Sequence, residues 1–277
     1  ILDTINLAVH VGINGHGPPE AKVLEPGSLG LPRAIEIPQL DAIIPRIGTS
    51  VTYYGLAVVR QFEAMGIVST ASSVAIAISR DKLQSLQLMT QAQLPIPRTV
   101  IIARPEALYA AVHAVGGLPV VVKVIRGTQG RGVALARQLS TVNTLVEQAA
   151  SRHLHVLIQE YIAEARGKDI RAIVVGGRCV AAMQRNAAPG EFRANLHMGG
   201  TATTVELDEA TIALAVNAAR THQLAVAGVD LLVSDRGPLL LEVNSSPGLE
   251  GIEQATGVDV AEAVIAFVEQ GVIRSRR

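Results

Sequence analysis

A single cysteine, Cys179, stands in the whole chain. One thiol excludes a disulfide framework and any cysteine-based zinc site. It lies in the apolar run Arg178-Cys179-Val180, where an inert buried thiol is the plainer reading than a nucleophile, and a reducing, cytoplasmic setting fits. Tryptophan is absent and aromatics are only 3% of residues, so a hydrophobic share of 49% is left chiefly to Ala, Val, Ile and Leu. No apolar run approaches the length of a membrane span. The formal net charge is zero, which argues against nonspecific nucleic-acid binding. Neither a G-x-x-x-x-G-K-[ST] phosphate loop nor a G-x-G-x-x-G dinucleotide fingerprint is present. The seven histidines do not cluster at metal spacing. Lysine is scarce: Lys22, Lys82, Lys123 and Lys168 stand against twenty arginines, so a retained lysine hints at a compact point charge. No basic region precedes an apolar stretch, so no signal peptide is visible, and an isoleucine at position 1 reads as the start of a fragment.

What is present is organised around Gly228 to Gly257. Asp230 lies on one apolar run, and Glu242 and Asn244 lie on the next, pointing the same way because strand residues alternate faces. Ser234-Asp235-Arg236-Gly237 is turn chemistry, so the two runs predict a hairpin. A turn centred near Arg236 sets Asp230 directly across from Glu242. Three oxygen-bearing side chains then converge at one end of a sheet, a set suited to Mg²⁺ or Mn²⁺. A solvated hairpin with scattered polar residues is the bland alternative. It is disfavoured because Leu239 to Asn244 embeds its acid in a strongly apolar strand, and buried charges are seldom left unpaired.

With 277 residues the chain suffices for one large domain or two to three small ones. Its pattern is α/β. Gly15 to Gly30 reads as loop, Asp41 to Arg46 as a short buried strand, Val51 to Met65 as a helix stopped by Gly66, and Ile67-Val68 as a strand. Ser72 to Gln93 is helical, and Asp81 caps a second helix holding Lys82 in its first turn. From Thr99 to Glu160 the order is β-α-β-β-α-β, a unit able to fold alone as a lid, with the mobile loop Gly127 to Gly132 between its second and third strands. Gly176-Gly177 joins two strands as a hairpin, Arg185 to Gly200 is polar and irregular, and a final helix spans Asp259 to Glu269.

Lys123 in Val120-Val121-Val122-Lys123-Val124 precedes the glycine loop, whose backbone N–H groups suit phosphate oxygens. A flexible hairpin with a lysine snorkelling from an edge strand is the competing reading of that stretch alone. Taken with Gln159-Glu160-Tyr161-Ile162 and the distal acid set, the order of motifs resembles the ATP-grasp superfamily. Within it, PRIGT (45–49), RDKL (80–83), KVIRGTQGRGV (123–133), QEYI (159–162), KDIR (168–171), FRAN (192–195), AGVDLL (227–232) and EVNSSPGLEGIEQATGVD (242–259) resemble the RimK family of α-L-glutamate ligases. The resemblance implies a pre-ATP-grasp domain over 1–79 lacking its first strand–helix unit, and an ATP-grasp domain over 80–277. The latter has a lid at about 95–160 and a metal-binding lobe at about 161–277.

The same resemblance implies roles. Lys82 and Lys123 contact ATP phosphates; Glu160 and Tyr161 lie at an adenine hinge whose backbone reads the base; Asp169 serves the ribose side, with a salt bridge to Arg171 or Lys168 as its bland alternative. Arg193, Ala194 and Asn195 line the triphosphate end, and Asp230, Glu242 and Asn244 hold two Mg²⁺ (or Mn²⁺) with Glu242 bridging. Arg185 is the catalytic candidate for stabilising an oxyanion, against a surface arginine after a hairpin, and Arg46 is a weaker candidate for a carboxylate contact. The implied partners are L-glutamate and the C-terminus of a small-subunit ribosomal protein, with no direct nucleic-acid or membrane contact, in a homo-oligomer (dimer or tetramer). A sister ligase acting on a small-molecule or cofactor acceptor is the runner-up; Gly248 to Glu253 favours the protein ligase. A non-catalytic ATP-binding module is the third reading, opposed by the intact metal set, by both Lys82 and Lys123, and by Arg185.

Overall fold

The structure, a computed structural model, describes residues 8–12, 20–26, 32–34, 40–125, 132–194 and 196–275. The first part holds an antiparallel meander of β1 (Ala8–Gly12), β2 (Glu20–Pro26) and β3 (Pro32–Ala34). Strand β2 falls inside the stretch read from sequence as loop. The glycines and prolines that prompted that reading cluster on either side of Glu20 to Glu25, which contains neither. They bound the strand rather than abolish it.

Next, β4 (Ala42–Ile43) and β5 (Val68–Ser69) pair in parallel across α1 (Thr52–Ala64). Ser72 caps α2 (Ser73–Arg80). Asp81 then caps α3 (Lys82–Gln91), accepting from the Leu83 and Gln84 N–H groups at 3.0 Å each. The cap makes Lys82 the first residue of α3, as predicted. Ser85 of this helix is tied to the buried His222 at 2.8 Å, which fixes α3 against the helix that His222 ends.

The β-α-β-β-α-β unit folds as predicted. β6 (Thr99–Ile102), β7 (Val120–Val124), β8 (Val133–Ala136) and β9 (Val156–Glu160) form an antiparallel sheet in the order β6-β9-β7-β8. Helices α4 (Leu108–Ala114) and α5 (Leu139–Ala150) cover it with a separate core that includes Val112, Val122, Val146 and Ile158. Of the glycine loop only Gly132 lies within the described residues.

The larger sheet is antiparallel, in the order β12-β11-β10-β13-β14. Its strands are β10 (Lys168–Val175), β11 (Arg178–Asn186), β12 (Thr201–Thr204), β13 (Val226–Ser234) and β14 (Gly237–Asn244). Helix α6 (Glu209–Thr221) packs on one face through Leu214, Ala215 and Ala218. Helices α7 (Glu250–Thr256) and α8 (Val260–Ser275) pack on the other through Ile252, Val260 and Val264. Helix α8 outruns its predicted end at Glu269 by six residues. The core beneath α6 also takes in Ile47, Val59 and Ile76, together with Met89 of α3, so the chain before residue 80 shares its interior with this sheet. Among the described residues no helix is long and apolar enough to cross a membrane.

Both hairpins of the large sheet carry a bulge, and each bulge changes which side chains meet. Gly176 and Gly177, at φ +57 and +77, form the two-residue turn of the β10–β11 hairpin. Continued straight from that turn, the register would oppose Asp169 to Gln184. A bulge between Ile173 and Val174 sets Asp169 opposite Arg185 instead. The β13–β14 turn is Asp235-Arg236, and a straight register would oppose Asp230 to Leu241. The bulge between Asp230 and Leu231 brings Glu242 there. The predicted Asp230–Glu242 opposition therefore holds, but an extra residue produces it rather than a turn centred on Arg236. Strand β11 also runs on to Asn186, which makes Arg185 a strand residue with 8% exposure, not the first residue of an irregular surface segment.

Replacing Asp81 by Ala removes the cap of α3. Equilibrium urea unfolding is expected to show a loss of about 1 kcal/mol at unchanged slope.

Candidate active site

A cavity of about 590 Å³ is lined by both sheets and by the start of α3. Lys123 reaches it from β7, Glu160 and Tyr161 from the end of β9, Asp169 from β10 and Arg185 from β11. Asp230 arrives on β13, Glu242 and Asn244 on β14, Lys82 from α3, and Arg193 and Ala194 from the segment after β11. Asn195 lies outside the described residues. The sequence-predicted set is thus brought together in one space wherever it is described. Seven basic and four acidic side chains line that space, an imbalance that favours an anionic ligand. At the Glu160–Tyr161 end, Ile162 and Leu232 supply an apolar wall.

The centre of the site is a network of four charges. Arg171 donates to both oxygens of Asp230, at 2.8 and 2.7 Å. Arg185 donates to both oxygens of Asp169, at 2.6 and 2.8 Å, and again to Asp230 at 2.9 Å. Asp230 is 6% exposed, so burial alone would raise its pKa; the Arg171 and Arg185 charges prevail and hold it below the usual carboxylate range. Asp169 moves the other way: burial, with the Asp230 charge adding to it, outweighs Arg185 and pushes it up. Asp169 does make a salt bridge, but its partner is Arg185. Arg171 belongs to Asp230, and sequence reasoning did not assign it to the site. Its signal was the alternation of Asp169 and Arg171 on one strand face, readable only once the β10–β13 register pairs Arg171 with Asp230.

Lys82 approaches the 43% exposed carboxylate of Glu242 at 3.4 Å, and the charges of Arg80 and Lys123 also face it. Lys123 is pushed down to about 8 by burial and by the nearby Lys82 charge, against an opposing pull from Glu242. Such a lysine is still largely protonated at neutral pH, and an anion bound beside it favours its charged form further. The oxygen set fits a hard divalent cation. Asp230 accepts three N–H bonds of the roughly four that a carboxylate can take, Glu242 is barely engaged, and the Asn244 amide nitrogen is buried without a partner among the described residues. Among the described residues no group of three or more His, Cys, Asp or Glu could hold a metal ion; two carboxylates and an amide are what converge here.

Glu160 is committed elsewhere. Its carboxylate accepts from Arg98 at 2.8 Å and Arg236 at 2.5 Å, and its N–H donates to the Arg98 carbonyl at 2.9 Å. Burial would raise its pKa, but the bonds from Arg236 and Arg98 lower it overall. Its side chain therefore clasps the end of β9 to its neighbours. Arg193 binds Glu191 at 2.6 Å and lies over the Phe192 ring at 5.7 Å.

Arg171→Met strips Asp230 of its bidentate partner inside the protein. Urea unfolding is expected to show a loss of about 3 kcal/mol, several times the effect of removing an exposed pair.

A family model described as the RimK-like ATP-grasp domain matches residues 79–268, and one described as the RimK pre-ATP-grasp domain matches residues 32–76. A probable alpha-L-glutamate ligase of Saccharophagus degradans is 53% identical over 234 residues, covering 84% of this chain and 78% of that protein. Probable alpha-L-glutamate ligase 1 of Shewanella amazonensis is 52% identical over 235 residues, covering 85% and 78%. Among solved structures, the ATP-grasp ligase PsnB complexed with minimal precursor, Mg and ADP superposes with a TM-score of 0.66 at 21% identity, covering 95% of this chain and 85% of that one. The D-alanine–D-alanine ligase from Bacillus anthracis does so with 0.68 at 20% identity, covering 87% and 83%. At those identities the structures speak for the fold alone. The fold, the cavity built from both sheets and the match over most of its length place this chain in the RimK-like ATP-grasp family of ATP-dependent ligases.

Proposed function

We propose that the chain joins L-glutamate to the C-terminal carboxylate of a small-subunit ribosomal protein, using ATP and passing through an acyl phosphate. The observation that supports this reading is one cavity in which Lys82, Lys123 and the arginines of β10 and β11 face Asp230, Glu242 and Asn244. Cations together with hard oxygen donors suit a polyphosphate carrying a divalent ion. In this reading Tyr161 and the backbone after Glu160 flank the base against Ile162 and Leu232. Asp169 would stand on the ribose side, Arg193, Ala194 and Asn195 would flank the triphosphate, and Asp230, Glu242 and Asn244 would hold two Mg²⁺ (or Mn²⁺). When bound, the metal supplies positive charge that neutralises the phosphates and makes the γ-phosphorus electrophilic.

Lys82 and Lys123 offset the repulsion between the acceptor carboxylate and the γ-phosphate while that carboxylate displaces ADP. Arg185 stabilises the oxyanion as the glutamate amine attacks the acyl carbon, loses its proton and expels phosphate. Its guanidinium is held by Asp169 and Asp230 before any substrate arrives, so little reorganisation remains at the moment of reaction. Division into a pre-ATP-grasp part up to residue 79, a lid at about 95–160 and a metal-binding lobe from about 161 belongs to the same reading, as do a cytoplasmic location and a homo-oligomeric state.

Incubating ribosomal proteins with the chain, ATP, Mg²⁺ and glutamate is expected to shift one small-subunit protein by whole glutamyl increments in intact mass spectrometry. A spectrum with no such shift, beside glutamate-dependent ADP release on another acceptor, would refute the ribosomal substrate. Glu242→Gln is expected to abolish turnover while leaving circular dichroism and unfolding unchanged. Because Lys123 titrates near 8 in the free site, nucleotide binding above that pH must first restore its proton. Affinity for MgATP is expected to fall up to about tenfold per pH unit between 8 and 10. Lys123→Arg, charged throughout, should flatten that slope in a titration followed by calorimetry.

A further inference from the structure

Four buried polar atoms have no hydrogen-bond partner among the described residues: Nε of Arg80, Nδ2 of Asn244, Oγ of Ser245 and Oγ of Ser246. All four residues line the cavity. Buried polar groups are nearly always satisfied, and one left without a partner carries its full desolvation cost. All four atoms can donate, and two of them can only donate. The group that satisfies such a set is an acceptor, and an ionised carboxylate answers the donors and adds to the offset that Glu242 already gives the buried Arg80 charge.

Strand β14 orders the cavity. Leu239, beneath the cavity-lining Ile162 and Leu232, marks the apolar end; Glu242 follows, then Asn244, and the serines come last. At strand rise the step from Leu239 to Asn244, the end of β14, is at most about 17 Å, and the serines follow it, so the unsatisfied donors lie past the metal pair, on the side away from the apolar end.

This wall is also built to hold its shape. Arg80 donates Nη2 to the Ile47 carbonyl, and Arg46 donates to the Pro247 carbonyl at 2.8 Å. The segment 46–49 thereby bridges the end of α2 and the loop after β14. Arg46, read from sequence as a carboxylate contact, spends that bond on positioning the loop. Two glycines make the close approach possible. A Cβ on Gly55 would meet Ile47 at 2.5 Å, and one on Gly228 would meet Pro247 at 2.7 Å.

We propose that Arg80, Ser245, Ser246 and the amide nitrogen of Asn244 form the subsite for a carboxylate of the amine-bearing amino acid. It deepens the ligase reading and rests on it. The Asn244 oxygen remains available to a metal while its nitrogen serves the substrate, so one side chain sets the distance between the two.

The test is calorimetric titration of L-glutamate into the full chain loaded with Mg²⁺ and a non-hydrolysable ATP analogue. Wild type is expected to bind glutamate, and Ser245→Ala, Ser246→Ala and Arg80→Gln each to weaken it tenfold or more, while the analogue's own Kd stays within about twofold. The two serine variants keep the test open if Arg80→Gln lowers the melting temperature. No glutamate binding by wild type, unchanged binding in the serine variants, or a parallel loss of nucleotide affinity (which would make these atoms phosphate contacts) overturns the subsite. Glutamate binding that depends on these residues, in a chain that extends no acceptor, supports the subsite and refutes the ligase. Acceptor extension by wild type with glutamate KM unmoved in the variants refutes the subsite alone.

Discussion

The site depends on keeping Asp230 charged inside the protein. A carboxylate so buried would take up a proton unless cations were placed against it. Arg171 and Arg185 supply them, and between them they make three charge-assisted bonds to its two oxygens. Arg185 is in turn gripped by Asp169, so neither arginine can leave without stranding a buried charge. The same bonds that hold Asp230 ionised also aim Arg185 into the cavity.

Two features of the backbone make this arrangement possible. Each central hairpin carries one bulge, and each bulge advances the register by a residue. Straight ladders would bring Gln184 and Leu241 to the positions that Arg185 and Glu242 occupy. The bulges replace a neutral amide and an aliphatic chain by a guanidinium and a carboxylate at the cavity wall. Around that frame the Asp81 cap starts α3 at Lys82, and His222 anchors that helix through Ser85. Lys82 thus rests beside Glu242 with a defined backbone and a movable ammonium.

Much of this was legible in the chain. The capped α3, the isolated Lys123 between apolar residues, the Gly-Gly hairpin and the acid-bearing apolar strand each carried a local signal that the structure repeats. Other parts were not. Arg185 looked like a residue beyond a strand because β11 ends in the polar run Gln184-Arg185-Asn186, whose one charge is paired across strands with Asp169 rather than exposed. Arg171 looked like a partner for its neighbour Asp169, since nothing local reveals a bond to a residue 59 positions away. Strand β2 was hidden by the glycines and prolines that delimit it.

By itself, then, the sequence determined the order and type of most elements and which polar residues lie inside apolar runs. Propensity, capping and periodicity act over a few residues and are written where they act. Tertiary structure alone decided who pairs with whom: the bulged registers, the two arginines on Asp230, and the meeting of segment 46–49 with the loop after β14. Those contacts join residues up to about two hundred positions apart. They arise from packing and charge neutralisation across strands, a competition among whole arrangements that no stretch of sequence encodes on its own.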